Sequence, residues 1–426
     1  MLRLLLFLFL LLAPLTPAAA YSLLTHQAVI DSTWQTCLVP LLHQHYPGAT
    51  PAQLDEAKSY AYGGAIIQDM GYYPLGGELF TDLTHYVRPG DFVRNLLDLA
   101  HDRNEYAFAL GALSHYAADV VGHPQGTNLI MPTVYPDLKA RYGPVVTYEN
   151  APHRHTELEF SFDVVQVAAG HYRTQDYHKF IGFRVSKPVL ERAFRLTYGL
   201  DLGRVVFNVD AGVASFRFAV NQLLPAVARA AWHSQHKKIR QVSRRARRRE
   251  YLYKTNRRRF EQEFGTEYEK PGFGARLMAN IINLLPKIGP LRTYAFKLPS
   301  AEGEARFRAS YRAVLARYCT LTRQQPLDTA ATVPNLANTN LDTGQPTQPA
   351  AYALADETAA EWLHELHKDK FEHLTPALRQ YVLTYFTQGI PPLKAEDEDE
   401  KDDQREARKE RQQAEEALEA LRALER

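Results

Sequence analysis

The stretch from Asp91 to Val121, DFVRNLLDLAHDRNEYAFALGALSHYAADVV, constrains the fold more than any other part of this chain. Its apolar residues recur at three- and four-residue spacing across two consecutive helices. On the second, apolar helix and just past it, His115, Asp119 and His123 follow one another at intervals of four. A four-residue step rotates a side chain by only about 40°, so the three can share one face, over a rise of roughly 12 Å. Burying three polar groups there costs free energy unless something pairs with them. A metal would serve, and so would neighbouring side chains. The rise is too long for His115 and His123 to hold one ion easily, whereas Asp119 between them could bridge towards two. Pro124 disfavours helical geometry at His123, which is expected where the helix ends.

Much of the remaining chain is also helical in pattern. Thr50 before Pro51 opens a helix expected to close at Gly71. The segments VLERAFRLTYG and AVNQLLPAVARAAW repeat the signal, and strand-like alternation is scarce. The fold class is therefore all-α, a multi-helix domain with a C-terminal helical extension. Residues 1–20 carry one arginine, a short apolar run and Ala18–Ala20, the pattern of a removed secretion signal. The mature chain would begin at Tyr21, with a secreted or periplasmic address. Residues 21–319 form the main domain, and 320–350, rich in Pro, Thr and Asn, read as a linker or long loop. Residues 351–390 form a small helical segment, and 391–426 a charged, helix-prone or disordered tail whose expected state is a solvated or partner-dependent helix. Cys37 and Cys319 could pair in an oxidising compartment or remain as two buried thiols.

The net charge of +2 says little about partners, because a basic run at 237–259 with Glu250 as its only acid is offset by acidic segments near the C-terminus. Such a run is either a solvated face or a contact for anionic lipid or a nucleic-acid backbone.

Nine of the 16 histidines fall between His26 and His155. His26, Asp69 at a helix end and His85 before a loop add metal-binding chemistry to the stripe. PHRHTELEFSFD holds two overlapping pairs, His153 with Glu157 and His155 with Glu159, and either could chelate an ion from one helical face. Imidazole and carboxylate suit zinc, which turns bound water into a nucleophile near neutral pH. His364 and His367 in WLHELHK are three apart, which excludes the zinc-peptidase helix, and no phosphate-cradling glycine loop or G-x-S-x-G is present.

Taken in order, the aromatic mature start, His26, Asp69, His85, HYAADVVGH and the His-x-x-x-Glu pair resemble the zinc-dependent phospholipase C family, whose bacterial members are secreted. The family is all-helical and is related to fungal single-strand zinc nucleases and to the catalytic domain of glycosylphosphatidylinositol-specific phospholipase D. The resemblance implies three zinc ions. One would take Asp69, His85, His115 and bridging Asp119; a second Asp119, His26 and the amino and carbonyl groups of Tyr21; a third His123, His155 and Glu159. His155 and Glu159 are preferred to His153 and Glu157 because FSFD follows them similarly in the family. The resemblance further implies a phospholipid substrate at a membrane surface and attack on phosphorus by a metal-bound hydroxide. Asp69 would orient or deprotonate the water, and Tyr72 and Tyr73 would either line a head-group pocket or belong to an aromatic core. Three residues separate Asp119 from His123 where the founding phospholipases have five, and Tyr21 replaces their tryptophan. The shorter gap is closer to the phospholipase D relative, so C-type and D-type cleavage both stay open. A zinc-dependent nuclease using the basic run on nucleic acid, and a non-catalytic zinc-stabilised binding protein, are the alternatives.

Overall fold

The computed structural model describes residues 23–73, 75–168, 172, 183–218, 299–325, 336–393 and 401–424. Residues 1–20, read as a secretion signal, Tyr21, the basic run 237–259 and the AVNQLLPAVARAAW segment lie outside them. The described part is all-α, and its only β feature is a single bridge between Thr339 and Pro346. The helices that build the site are α1 (Leu23–Thr33), α2 (Pro51–Ile67), α3 (Glu78–Tyr86), α4 (Pro89–Asp98), α5 (Arg103–Gly122) and α6 (Pro152–Ala168). Behind and beside them lie α7 (Lys187–Tyr198), α8 (Ala301–Arg323), α9 (Ala353–Lys368), α10 (Pro376–Tyr385) and α11 (Lys401–Ala423). None of the described helices is long and apolar enough to cross a membrane.

Helix α5 is the hub: α1, α2, α4 and α8 all pack on it, and its residues are buried from Glu105 to Asp119. Its start is set by Asp102, whose carboxylate accepts from the backbone N–H of Asn104 (2.8 Å) and Glu105 (2.9 Å). A capping box begins α2, with the Thr50 hydroxyl accepting from the Gln53 N–H and the Gln53 amide oxygen accepting from the Thr50 N–H. Where the two helices cross, each contributes a glycine. A β-carbon on Gly111 would lie 2.1 Å from the Ala61 carbonyl oxygen, and one on Gly64 would lie 1.9 Å from that of Phe108. Only glycine lets these backbones touch.

Two helix ends differ from the sequence expectation. Regular α geometry in α2 stops at Ile67 rather than Gly71, and the chain tightens into a 3₁₀ turn over Gln68–Tyr72. The Thr81 hydroxyl pins that turn by donating to the Gln68 carbonyl (2.6 Å) and accepting from the Gly71 N–H (2.7 Å). At the other site, α5 ends at Gly122, but the chain does not turn away; it widens into a π turn over His123–Thr127 that absorbs Pro124. The His123 N–H still reaches the Asp119 carbonyl.

Cys37 and Cys319 form a disulfide that ties the Trp34–Leu38 turn to α8. A large core surrounds α5, and a smaller cluster of Ile130, Met131, Tyr135, Val146, Leu158, Phe162 and Phe307 lies under α6 and α8. Residues 351–390 resolve into two helices, α9 and α10. Helix α11, in the charged tail, has its partner in its own chain: Ala414, Ala417, Leu418 and Leu421 are buried where it packs on α9.

Candidate metal centre

The side chains of the central site arrive from four directions. His26 comes from the first turn of α1, Asp69 from the 3₁₀ turn after α2, His85 from the last turn of α3, and His115 and Asp119 from the C-terminal half of α5. All five are buried. His26, Asp69 and His115, and again His85, His115 and Asp119, each offer one ligating atom within 4.8 Å of the others. The His26 and His115 rings stack with centroids 4.2 Å apart.

Hydrogen bonds at the far side of the rings fix which nitrogen faces inward. His85 Nδ1 lies 2.8 Å from the Thr81 carbonyl and His115 Nδ1 lies 2.9 Å from the Ala65 carbonyl. A carbonyl only accepts, so each Nδ1 carries a proton and donates it. In the neutral rings both Nε2 atoms then present lone pairs, yet they face each other at 3.1 Å. Asp119 Oδ2 is 3.1 Å from His115 Nε2 and 3.6 Å from His85 Nε2, while Asp69 Oδ1 is 3.4 Å from His85 Nε2. Both Asp69 oxygens are buried without a hydrogen-bond donor among the described residues. Electron pairs converge on one dry space, and such a set persists only around protons or metal cations. The donors fit zinc in type.

Asp119 divides its two oxygens. Oδ2 faces His85 and His115, whereas Oδ1 lies 3.5 Å from His26 Nε2 and 4.0 Å from His123 Nε2. Burial alone would raise its carboxyl, but the His115, His26 and His123 imidazoles hold it well below the ordinary range. Burial likewise pushes the His115 imidazole down, and the Asp119 and Asp69 carboxylates overcome this and lift it to about 9.

The second group sits where α6 passes the π turn. His123, His155 and Glu159 place one ligating atom each within 4.8 Å of the others, and all are buried. His155 Nδ1 lies 2.8 Å from Glu159 Oε1, and His123 Nε2 lies 3.8 Å from the same oxygen. Burial is the first cause holding the His155 imidazole down at about 4, and burial drives the Glu159 carboxyl well above its usual value despite His123. The competing pair is not in this group. His153 is exposed, and Glu157 is turned towards Arg154 and Tyr135.

Tyr72 stands between the two groups, its ring 5.9 Å from that of His85 and 6.1 Å from that of Tyr148, which is itself 5.8 Å from His155. Burial, together with the nearby Tyr86, Tyr148 and Asp82, keeps its phenol protonated far above the normal range. Tyr73 is buried in the main core. Tyr21 lies outside the described residues.

Sequence reasoning missed Asp342 and Asn128. Asp342 lies in the stretch read as a linker, yet its carboxylate sits 2.9 Å from His123 Nδ1, and Asn128 Oδ1 accepts from His155 Nε2 at 2.8 Å. Burial alone would raise the Asp342 carboxyl, but the His123 and His155 imidazoles and the Tyr352 hydroxyl hold it down at about 2. The local sequence NTNLDTG is an ordinary turn signature, and nothing in it distinguishes this aspartate from a solvent-facing one.

The described helices converge buried imidazoles and carboxylates into groups that could hold metal ions. Residues 25–205 match the family model described as zinc dependent phospholipase C, a match that supports a phospholipase-type hydrolase. No curated protein and no solved structure matches the chain significantly.

Proposed function

We propose that this protein is a secreted zinc-dependent phosphodiesterase that hydrolyses phospholipids in the manner of a phospholipase C. The observation that carries the reading is the convergence of His85 Nε2, His115 Nε2, Asp119 Oδ2 and Asp69 Oδ1 on one buried space, with no hydrogen-bond donor to the Asp69 oxygens among the described residues. In this reading His26, Asp69, His85, His115 and Asp119, joined by the Tyr21 terminus, hold two ions, and His123, His155 and Glu159 hold a third. Zinc bound there would supply Lewis acidity at phosphorus and a water of lowered pKa. Asp69, whose oxygens no donor among the described residues engages, orients the attacking water and accepts its proton. Asp119 keeps the two groups at a fixed separation. The Tyr72 phenol, held in its protonated form, can donate to a phosphate oxygen or line the head-group side.

Charge beside the site favours a lipid over a polynucleotide. Tyr148, near both groups, feels the carboxylates of Asp82 and Glu78, and Asp82 in turn faces Glu78, Glu361 and Glu357. Burial and this crowding raise the Asp82 carboxyl well above its usual value, so the flank carries carboxyls where a polyphosphate backbone needs cations. Two apolar side chains offer contact with a lipid surface nearby: Phe207 is 96% exposed and Leu75, just beyond Tyr72, is 47% exposed. The Leu75 loop meets the helix that follows Phe207, since a β-carbon on Gly212 would lie 2.8 Å from the Leu75 carbonyl oxygen.

The test is to purify the mature chain, count its zinc, and assay phosphatidylcholine and single-stranded DNA side by side with His115→Ala and Asp119→Asn. Diacylglycerol and phosphocholine should be released, and each variant should lose about 10³-fold or more. Metal-loaded protein that turns over neither substrate would move the assignment to a zinc-stabilised binding protein.

A further inference from the structure

The segment from Leu336 to Tyr352 lies outside the stretch matching the family, yet it is laid across the site by specific bonds. The Leu341 N–H donates to the carbonyl of His85 (3.0 Å), the Thr347 hydroxyl to that of Tyr86 (2.8 Å), and the Tyr116 hydroxyl to that of Ala337 (2.9 Å). Asn338 exchanges two hydrogen bonds with Asp91: its Oδ1 accepts from the Asp91 N–H and its Nδ2 donates to Asp91 Oδ2. These contacts drive one acidic side chain, Asp342, to a position only 2% exposed.

Every side of that carboxylate is spoken for. Oδ1 accepts from His123 Nδ1 (2.9 Å) and Asn128 Nδ2 (3.1 Å), and Oδ2 accepts from the Tyr148 N–H (2.8 Å) and the Tyr352 hydroxyl (2.8 Å). With four donors it has no lone pair left for an ion, so it acts on its neighbours. Towards His123, a carboxylate beside Nδ1 keeps the proton there and leaves Nε2 as the lone-pair atom facing Asp119 and Glu159. Asn128 carries the same constraint one residue further. Because Asp342 can only accept, the Asn128 NH₂ must point to it, where it also donates to the Asp342 carbonyl (2.8 Å). The Asn128 oxygen must then face His155 Nε2 (2.8 Å), which fixes the proton on Nε2 and leaves Nδ1 facing Glu159. One carboxylate thereby sets the tautomer and the ring orientation of two imidazoles.

We propose that Asp342 is the positioning residue of the His123–His155–Glu159 group, and that the 336–352 segment completes this part of the centre by setting both imidazoles for metal binding. The proposal rests on the reading that this group holds the third zinc ion. An outer hydrogen-bond partner of this kind is worth about 10–100-fold in metal affinity.

The experiment titrates zinc in a metal buffer into the stripped full-length mature protein and measures bound zinc per chain, together with the visible spectrum of the cobalt-substituted form. Wild type, Asp342→Asn, Asn128→Ala and Asn338→Ala are compared. Asp342→Asn should lose about 10–100-fold in affinity for one ion, with the others unchanged and one cobalt signature altered. Asn128→Ala, which breaks only the relay to His155, should weaken the same ion by less. Asn338→Ala loosens the same segment without touching Asp342 and should bind as wild type. Unchanged affinity in Asp342→Asn and Asn128→Ala overturns the proposal, as does an equal loss in Asn338→Ala, which would make the segment a mere brace. If Asp342→Asn does not fold, Asn128→Ala decides alone. Wild-type protein that takes up only two ions removes the third-ion reading itself, a result distinct from an unaltered variant.

Discussion

Gly111→Ala tests whether the crossing of α2 and α5 sets the geometry of the centre. The new β-carbon would lie 2.1 Å from the Ala61 carbonyl oxygen and 2.8 Å from the Ala65 nitrogen, backbone atoms that cannot swing aside. Ordinary contact needs about 3.5 Å, so the helices must part by roughly 1.4 Å. His115 sits one turn further along α5, and its Nδ1–H donates across this crossing to the Ala65 carbonyl at 2.9 Å. Parting the helices by that amount breaks the bond. Overpacking costs about 1–3 kcal/mol, and the buried N–H left without a partner costs about 1–3 more. The expected loss is thus about 2–6 kcal/mol, read as a lower urea midpoint at unchanged slope. The released His115 ring should also lower zinc affinity, measured by competition with a chelating dye. Wild-type stability and wild-type zinc affinity in Gly111→Ala would refute the claim that backbone contact at this crossing holds His115 in place.

Three further outcomes are expected. Cys319→Ser opens a disulfide spanning 282 residues and should cost about 2–5 kcal/mol in urea unfolding, an effect that added reductant reproduces in the parent protein. Burial and the facing Glu410, Glu365 and Glu78 carboxylates push Glu361 up to about 7, with Lys368 opposing them. The folded chain therefore holds a proton there that the unfolded chain releases near pH 4.5, so docking of α11 on α9 should weaken as pH rises from about 4.5 through 7; hydrogen exchange in α11 should show this, and Glu361→Gln should flatten it. Phe207→Ser should lower hydrolysis of vesicles while leaving that of a short-chain, monomeric phospholipid unchanged, and equal loss on both would remove Phe207 from the lipid contact.

What the sequence disclosed followed from local periodicity. Thr50 before Pro51 announces a helix start, and the four-residue spacing of His115 and Asp119 announces a shared face, because caps and helical pitch act within a few residues. His155 and Glu159 were legible in the same way, although spacing alone left His153 and Glu157 equal to them; the resemblance at FSFD preferred the first pair, and the fold turns it inward. Asp342 was illegible. Its position depends on bonds to His85, Tyr86, Asp91 and Tyr116, all more than two hundred residues earlier in the chain. The disulfide was half-legible: two cysteines stood in the text, and the 5.6 Å between their α-carbons is a property of tertiary packing.

The same distance dependence would couple ion binding to folding in this chain. Asp69, Asp119, Glu159 and Asp342 are four buried carboxylates, the first three brought together by elements within the first 168 residues and the fourth by the 336–352 segment. Only Asp342 is fully hydrogen-bonded by donors that the protein itself supplies. The others face imidazole nitrogens whose own protons are committed outward, to the Thr81 and Ala65 carbonyls, to Asp342 and to Asn128. Outward commitment costs the interior its donors, and the carboxylates left inside require positive charge in their place. Mutual repulsion would otherwise favour separating α1, α3, α5 and α6, so an ion that binds these residues also holds those helices together. The tautomers that make the centre a good ligand set are therefore the same ones that make its ion-free form costly to fold.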